Sequence, residues 1–164
     1  MNCRLVKLSK FSGTNASIYS VIENNESKTL FDNFINENKD SFLSELKNIA
    51  KRLHTIGNIG AREQFFKHKE GVPGDGVCAL YDEPNSNLRL YCIRYGTQII
   101  VLGSGGYKPK NIRALQEDQK LEDSNYQLRW LSKEITEKIR DKEITFSEDG
   151  LDFIGDLEFN DYEK

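Results

Sequence analysis

The chain has 164 residues, enough for one domain that buries a sizeable core without disulfide staples. Hydrophobic residues make up 37% and charged residues 30%, the balance of a water-soluble globule, and no run approaches the roughly 20 apolar residues of a membrane-spanning helix. The net charge of −3 argues, as a sum, against a nucleic-acid binder, and the composition excludes membrane, collagen-like and disulfide-scaffold classes.

The first ten residues carry no apolar signal-peptide core, so the expected location is the cytoplasm. Ala16 to Ile22 alternates Ile18, Ser20 and Ile22 against Tyr19 and Val21, rich in β-branched and aromatic residues, and reads as a strand. Thr29 is placed to cap a helix through Asn38 with Phe31, Phe34 and Ile35 turned inward. Asp40 and Ser41 offer a second cap, after which Phe42, Leu43, Leu46, Ile49, Ala50 and Leu53 recur at helical steps as far as Gly57. Two successive helices predict an αα-hairpin over a sheet. Gly60 to Lys69 reads as a short helix and Gly71 to Gly76 as a loop. Val77–Tyr81, Leu88–Tyr95 and Gln98–Leu102 then form an antiparallel meander. Gly103-Ser-Gly-Gly106 is expected to break the last strand. Ser124 or Asn125 caps a final helix bearing Leu128, Leu131, Ile135 and Ile139, and Ile144 to Phe146 makes a small edge strand. The expected class is α+β: an N-terminal strand and helical hairpin packed on a twisted antiparallel sheet, plus a C-terminal helix.

Charge is unevenly spread. Residues 148–164 hold seven acids against one lysine, −6, which leaves +3 on residues 1–147. The expected organisation is a body over 1–147 and an acidic C-terminal tail over 148–164, the tail being either solvated or a cover for a basic face or partner contact. Pro84 to Gln116 contains Arg89, Arg94, Lys108, Lys110 and Arg113 and no acid, and Lys67, His68 and Lys69 lie just upstream.

Few motifs carry chemistry. Cys3, Cys78 and Cys92 are odd in number and form no CxxC pair, so they read as reduced thiols, and Cys78 and Cys92, inside apolar strand-like segments, as buried ones. His54 and His68 have no ligand-spaced partners, which predicts no metal site. Gly103-Ser-Gly-Gly106 fits neither a Walker loop nor a dinucleotide fingerprint. The surviving constellation is basic and aromatic. Alternation puts Arg89, Tyr91 and Tyr95 on one sheet face, and Lys108 and Lys110 curling over it would make a cationic groove floored by rings, suited to single-stranded RNA. The other reading of the same residues puts the rings in the core and leaves the cations as a solvated rim.

Leu88-Arg-Leu-Tyr-Cys-Ile-Arg-Tyr-Gly-Thr-Gln-Ile-Ile-Val-Leu-Gly103, feeding Tyr107-Lys-Pro-Lys110, resembles the RelE/HigB-type toxins of bacterial toxin–antitoxin pairs. The resemblance covers Ile18 to Lys110 as architecture and Val77 to Lys110 as pattern. Arg89 matches the arginine opening a central strand; Lys108 and Lys110 match the basic segment that follows. The chain departs in lacking the dense lysine run of the HigB branch, and in its greater length and acidity.

The resemblance implies a RelE-like fold and a metal-independent endoribonuclease acting on messenger RNA at the ribosome, with no cofactor. In that chemistry the substrate's 2′-hydroxyl attacks the adjacent phosphate, and the protein supplies a base, positive charge and an acid for the leaving 5′-oxygen. Arg89 would stabilise the phosphate charge, Lys108 and Lys110 would bind RNA with one of them as base, and Tyr107 or Tyr91 would stack on the scissile nucleotide. Arg94 and Arg113 would track the backbone, with Lys67 nearby and His68 as a candidate acid. The implied partners are a cognate helix-turn-helix antitoxin, the ribosome and mRNA, with no membrane. Two alternatives remain: a non-enzymatic interaction protein on the same fold, and a gyrase-inhibiting toxin of the ParE branch.

Overall fold

The computed structural model describes residues 2–68, 74–81, 83, 85–108 and 115–160, the side chains of 115–118 excepted. β1 (Cys3–Lys7) and β2 (Ser17–Glu23) form a hairpin, followed by α1 (Leu30–Ile59) and a single 3-10 turn at Glu63–Phe65. β3 (Phe66–Lys67), β4 (Val77–Leu80), β5 (Leu88–Tyr95) and β6 (Ile99–Tyr107) lead to α2 (Leu115–Arg140). β7 (Ile144–Phe146), β8 (Phe153–Gly155) and β9 (Glu158–Phe159) complete the described elements.

Seven strands make one sheet in the order β3-β4-β5-β6-β2-β1-β9, with β7 and β8 paired separately. This corrects the RelE-like expectation. The sheet is mixed rather than antiparallel, because β2 runs parallel to β6 with Ser17 opposite Ile99, and it is larger than the resemblance implied. The class is still α+β.

Burial explains the layering. On β6, Ile99 and Val101 join a core with Leu128, Leu131 and Ile135 of α2, while Ile100 and Leu102 join a second core with Phe34, Leu46 and Leu53 of α1. All four β6 residues are fully buried. A strand covered on both faces needs apolar residues at every position, which is why Ile99 to Leu102 is an unbroken apolar run. The sheet is therefore sandwiched between α1 and α2.

α1 begins as its cap residues dictate. The Asp32 amide donates to Thr29 Oγ1 at 3.0 Å and the Thr29 amide to Asp32 Oδ2 at 3.1 Å, a reciprocal capping box. The expected hairpin is instead one element broken at Phe42, whose φ −135° and ψ 36° leave the helical region. Phe42 turns out to stack on Tyr107, ring centroids 5.8 Å apart. The helix ends at Gly60, at φ 105°, rather than at Gly57.

Gly103-Ser-Gly-Gly106 does not end β6. Leu90 pairs with Gly105 and Cys92 with Leu102, so Tyr91 opposes both Gly103 and Ser104 in a β-bulge. A Cβ on Gly103 would sit 2.6 Å from the Leu128 side chain, so the missing side chain is what lets α2 approach. α2 itself starts nine residues before the earlier of its two expected caps, at Leu115 rather than Ser124. Over Gly60 to His68 the described residues form a 3-10 turn and a short edge strand, not the expected helix, and Lys69 lies outside the described residues.

The acidic segment from Glu148 is packed structure through Asn160. β9 pairs with β1, placing Phe159 opposite Cys3, and Phe153 and Phe159 are buried against the α2 side of the sheet. Its acids meet lysines of the body: Asp152 with Lys7 at 2.6 Å and Asp156 with Lys138 at 2.8 Å. Lys138 and the Glu158 amide hold the Asp156 carboxyl below its ordinary value. A depressed carboxyl stabilises the fold above its unfolded pKa, and that contribution fades as pH falls through the folded value. Asp156→Asn is therefore expected to lose at most about 1 kcal/mol near neutrality, since the pair is solvent-screened. The difference from wild type should shrink below about pH 4. Urea unfolding on both sides of that pH tests this; a pH-independent difference refutes it.

The three cysteines are buried, and Cys78 and Cys92 face each other across β4 and β5 with sulfurs 3.5 Å apart. Contact with Cys78, together with burial, raises the Cys92 thiol, and burial pushes Cys3 up to about 11. None of them is placed as a nucleophile.

Candidate functional site

β5 alternates as its sequence dictates: Leu88, Leu90 and Cys92 face α1, while Tyr91 and Ile93 face α2. The face carrying Arg89 and Tyr91 was expected to be the open floor of a groove. It is covered by α2 instead. Tyr91 is only 5% exposed, and burial pushes the Tyr95 phenol well above its ordinary value. Tyr91 is a core residue and Tyr95 packs partly buried against the same core, so among the described residues these rings do not floor an open groove on that face.

The remaining candidates divide by location. Tyr107 pairs with Leu88 and faces α1, where Phe42 covers its ring, so it lies on the opposite side of the sheet from Arg89. Arg94, at the far end of β5 from Arg89, donates from Nε to the Ala61 carbonyl at 2.8 Å and lies over the Phe66 ring. That is a structural role. Lys67 sits on the outermost strand β3, separated from β5 by β4. His68 is exposed, its Nε2 3.2 Å from the Glu63 carbonyl oxygen. Lys110 and Arg113 lie outside the described residues.

What the structure does gather is at the end of the β5–β6 ladder. Arg89 pairs with Gly106, and the next residues of β6 and its exit are Tyr107 and Lys108. The Lys108 amide donates to the Asn87 carbonyl at 2.6 Å; its Nζ donates to the Glu83 carbonyl at 3.0 Å and to Ser86 Oγ at 3.3 Å. Lys120 of α2, unremarked in the sequence, lays its stem over Gly106, 3.1 Å from where a Cβ would be, and pairs with Glu37 of α1 at 2.9 Å. Only the tertiary approach of α2 to a glycine brings it there, and no local pattern signals that.

This end of the sheet has a topological property. β2 and β6 are parallel neighbours, yet the helix that follows β2 packs on one face and the helix that follows β6 on the other. Their ladder pairing stops at Tyr19 and Val101, beyond which the Ser20 hydroxyl donates to the Leu102 carbonyl at 2.9 Å. Open α/β sheets bind ligands beyond the carboxyl ends of strands at such a switch point. Lys120 of α2, laid over Gly106 of β6, pairs with Glu37 of α1 and so links the two helices.

On the α1 side, a cavity of about 710 Å³ opens between the second half of α1 and the segment joining β4 to β5. Glu45 fixes its wall by accepting from the Asn87 amide and side chain, both at 2.7 Å, and from the Leu88 amide at 3.3 Å. Among the described residues, no group of three His, Cys, Asp or Glu side chains is arranged to hold a metal, and no helix is long and apolar enough to cross a membrane. Compared with family models, curated proteins and solved structures, the chain matches none.

Proposed function

We propose that this chain is the toxin of a bacterial toxin–antitoxin pair and acts as an endoribonuclease on messenger RNA. The observation that supports this most is the gathering of Arg89, Lys108 and Lys120 at one end of the β5–β6 ladder, beside the switch point. The reading moves the site from the sheet face to the sheet end. A phosphodiester at that end would be approached by Arg89 of β5, by Lys108 just past β6 and by Lys120 of α2, positive charge of the kind a pentacoordinate phosphate requires. The 2′-oxygen attacks phosphorus as solvent water takes its proton, and the 5′-oxygen leaves with a proton returned by solvent, giving a cyclic phosphate and a 5′-hydroxyl. Arg89 is the charge stabiliser and Lys108 a phosphate ligand. Tyr107, held against Phe42, and Tyr91, in the core, have no stacking role.

Inducing the wild type and Arg89→Ala in a bacterial host, with growth, protein synthesis and transcript cleavage followed together, tests the proposal. Wild type is expected to arrest growth and cut transcripts, and Arg89→Ala to cut roughly 10²–10³-fold more slowly. No arrest by wild type overturns the reading; equal cleavage by Arg89→Ala removes Arg89 from it.

One observation favours a second reading, a non-enzymatic interaction protein. Lys108 and Lys120 each already hold acceptors of their own chain, the Glu83 carbonyl and Ser86 hydroxyl in one case and Glu37 in the other. Binding without transcript cleavage would select it.

A further inference from the structure

The cavity between α1 and the β4–β5 segment has no part in the chemistry above, and its volume of about 710 Å³ lies within the range of ligand pockets, roughly 300–1,000 Å³. We propose that it binds an unpaired nucleobase, one nucleotide or more from the scissile phosphate; the choice of RNA as the ligand rests on the endoribonuclease reading.

The lining carries the chemistry of base recognition. Phe65 and Tyr81 supply aromatic surface, with Tyr81 42% exposed, and the Tyr81 amide donates to the Phe65 carbonyl at 2.7 Å, which fixes the two segments side by side. Asn48 and Gln64 bring side-chain amides to the same cavity, both on exposed residues. Each amide pairs a donor with an acceptor, the combination that reads the edge of a splayed base, while rings stack on its face. Arg52 braces the wall by donating to the Tyr81 carbonyl.

Charge argues for the base, rather than a phosphate, as the group inside. Glu45 and Glu83 both line the cavity against the single cation Arg52, a net negative lining that disfavours a phosphate. Beyond Arg52, committed to the Tyr81 carbonyl in the wall, further positive charge lies at the rim, where Lys108 Nζ contacts Glu83 and Ser86, two lining residues. Leu88 lines the cavity and the next residue, Arg89, begins the opposite face. An RNA chain with its base in the cavity thus leaves past Lys108 and turns round the sheet end toward Arg89.

The test is a nuclear magnetic resonance titration of the ¹⁵N-labelled full chain with each of the four ribonucleoside 5′-monophosphates, with ribose 5-phosphate as the base-free comparison. At least one nucleotide is expected to shift the amides of Asn48, Gln64, Phe65 and Tyr81 at concentrations up to about 10 mM, while ribose 5-phosphate leaves them in place. The double variant Asn48→Ala/Gln64→Ala changes only exposed side chains, and should weaken the binding about tenfold with the rest of the spectrum unchanged. Tyr81→Ala should weaken it comparably through lost stacking. Equal shifts with ribose 5-phosphate, no shifts with any nucleotide, or undiminished affinity in both variants overturns the proposal. Nucleotide binding by a chain that causes no growth arrest leaves the pocket standing and overturns the endoribonuclease reading; arrest with transcript cleavage but no pocket binding does the reverse.

Discussion

Deleting the chain from Glu148 onward is expected to abolish cooperative folding. The deletion removes Phe153, 5% exposed, and Phe159, 1% exposed, from the core beneath α2. Phe153 packs against Tyr19 and Tyr95 with ring centroids at 5.1 and 5.3 Å, and its amide donates to the Tyr19 hydroxyl at 3.0 Å. Loss of one buried phenylalanine costs roughly 3–5 kcal/mol. Two such losses, with the β1–β9 pairing, rival the roughly 5–15 kcal/mol that holds a whole domain. Thermal and urea unfolding followed by circular dichroism should show no transition. Were the segment only a charge cover over a basic body, the truncated chain would melt at the wild-type midpoint, and that result would refute the prediction. Phe159→Ala is the milder version and should lower stability by roughly 3–5 kcal/mol while the chain still folds.

Gly57→Ala should destabilise, although propensity alone predicts a gain. Alanine is favoured over glycine in a helix by about 1 kcal/mol. Here, however, a Cβ on Gly57 would sit 2.2 Å from the Phe11 carbonyl oxygen and 3.0 Å from the Gly13 nitrogen. Neither neighbour is free to yield. The Gly57 carbonyl accepts from the amides of Asn15 and Ala16 at 3.0 and 3.1 Å, and Gly13 donates to Ala16. The residues joining β1 to β2 are therefore clamped to the end of α1. Overpacking against fixed backbone costs typically 1–3 kcal/mol and can exceed that, so the clash outweighs the propensity term. A net loss of about 2 kcal/mol in urea unfolding is the expected result, and an unchanged or raised midpoint would show that the loop can move aside.

Much of the secondary structure was legible. Thr29 announces the start of α1, and the helical spacing of Phe31, Phe34, Leu46, Ile49 and Leu53 identifies its buried stripe. The alternation of β5 gives the correct faces for Leu88, Leu90 and Cys92 and for Tyr91 and Ile93. Alternation says which residues share a face, but not whether that face is covered. The covering of Tyr91 depends on α2, whose buried residues include Leu121, before the serine that looked like a cap. The parallel pairing of β2 with β6 is also out of reach of local patterns, because nothing near Ser17 refers to Ile99.

The fate of Tyr107 has a specific cause. Strict alternation from Ile99 puts every odd residue of β6, Tyr107 included, on the α2 side with Arg89. The bulge at Gly103 and Ser104 adds one residue to that strand and reverses the faces beyond it, so Gly106 looks toward α2 and Tyr107 toward α1. Glycines mark where a bulge is tolerated, not that one occurs. That single inserted position separates the expected pair of site residues across the sheet.

The parallel contact between Ser17 and Ile99 also sets an order of events for a newly made chain. The two positions are 82 residues apart, so the hairpin of β1 and β2 is synthesised long before the neighbour that completes its sheet. Closing so long a loop is entropically slow, and non-local pairing of this kind lengthens folding times. Until Ile99 to Leu102 leaves the ribosome, the β2 edge stays uncovered and available for pairing with other chains. Nascent chains stalled short of that point should therefore be more prone to aggregate than those carrying it.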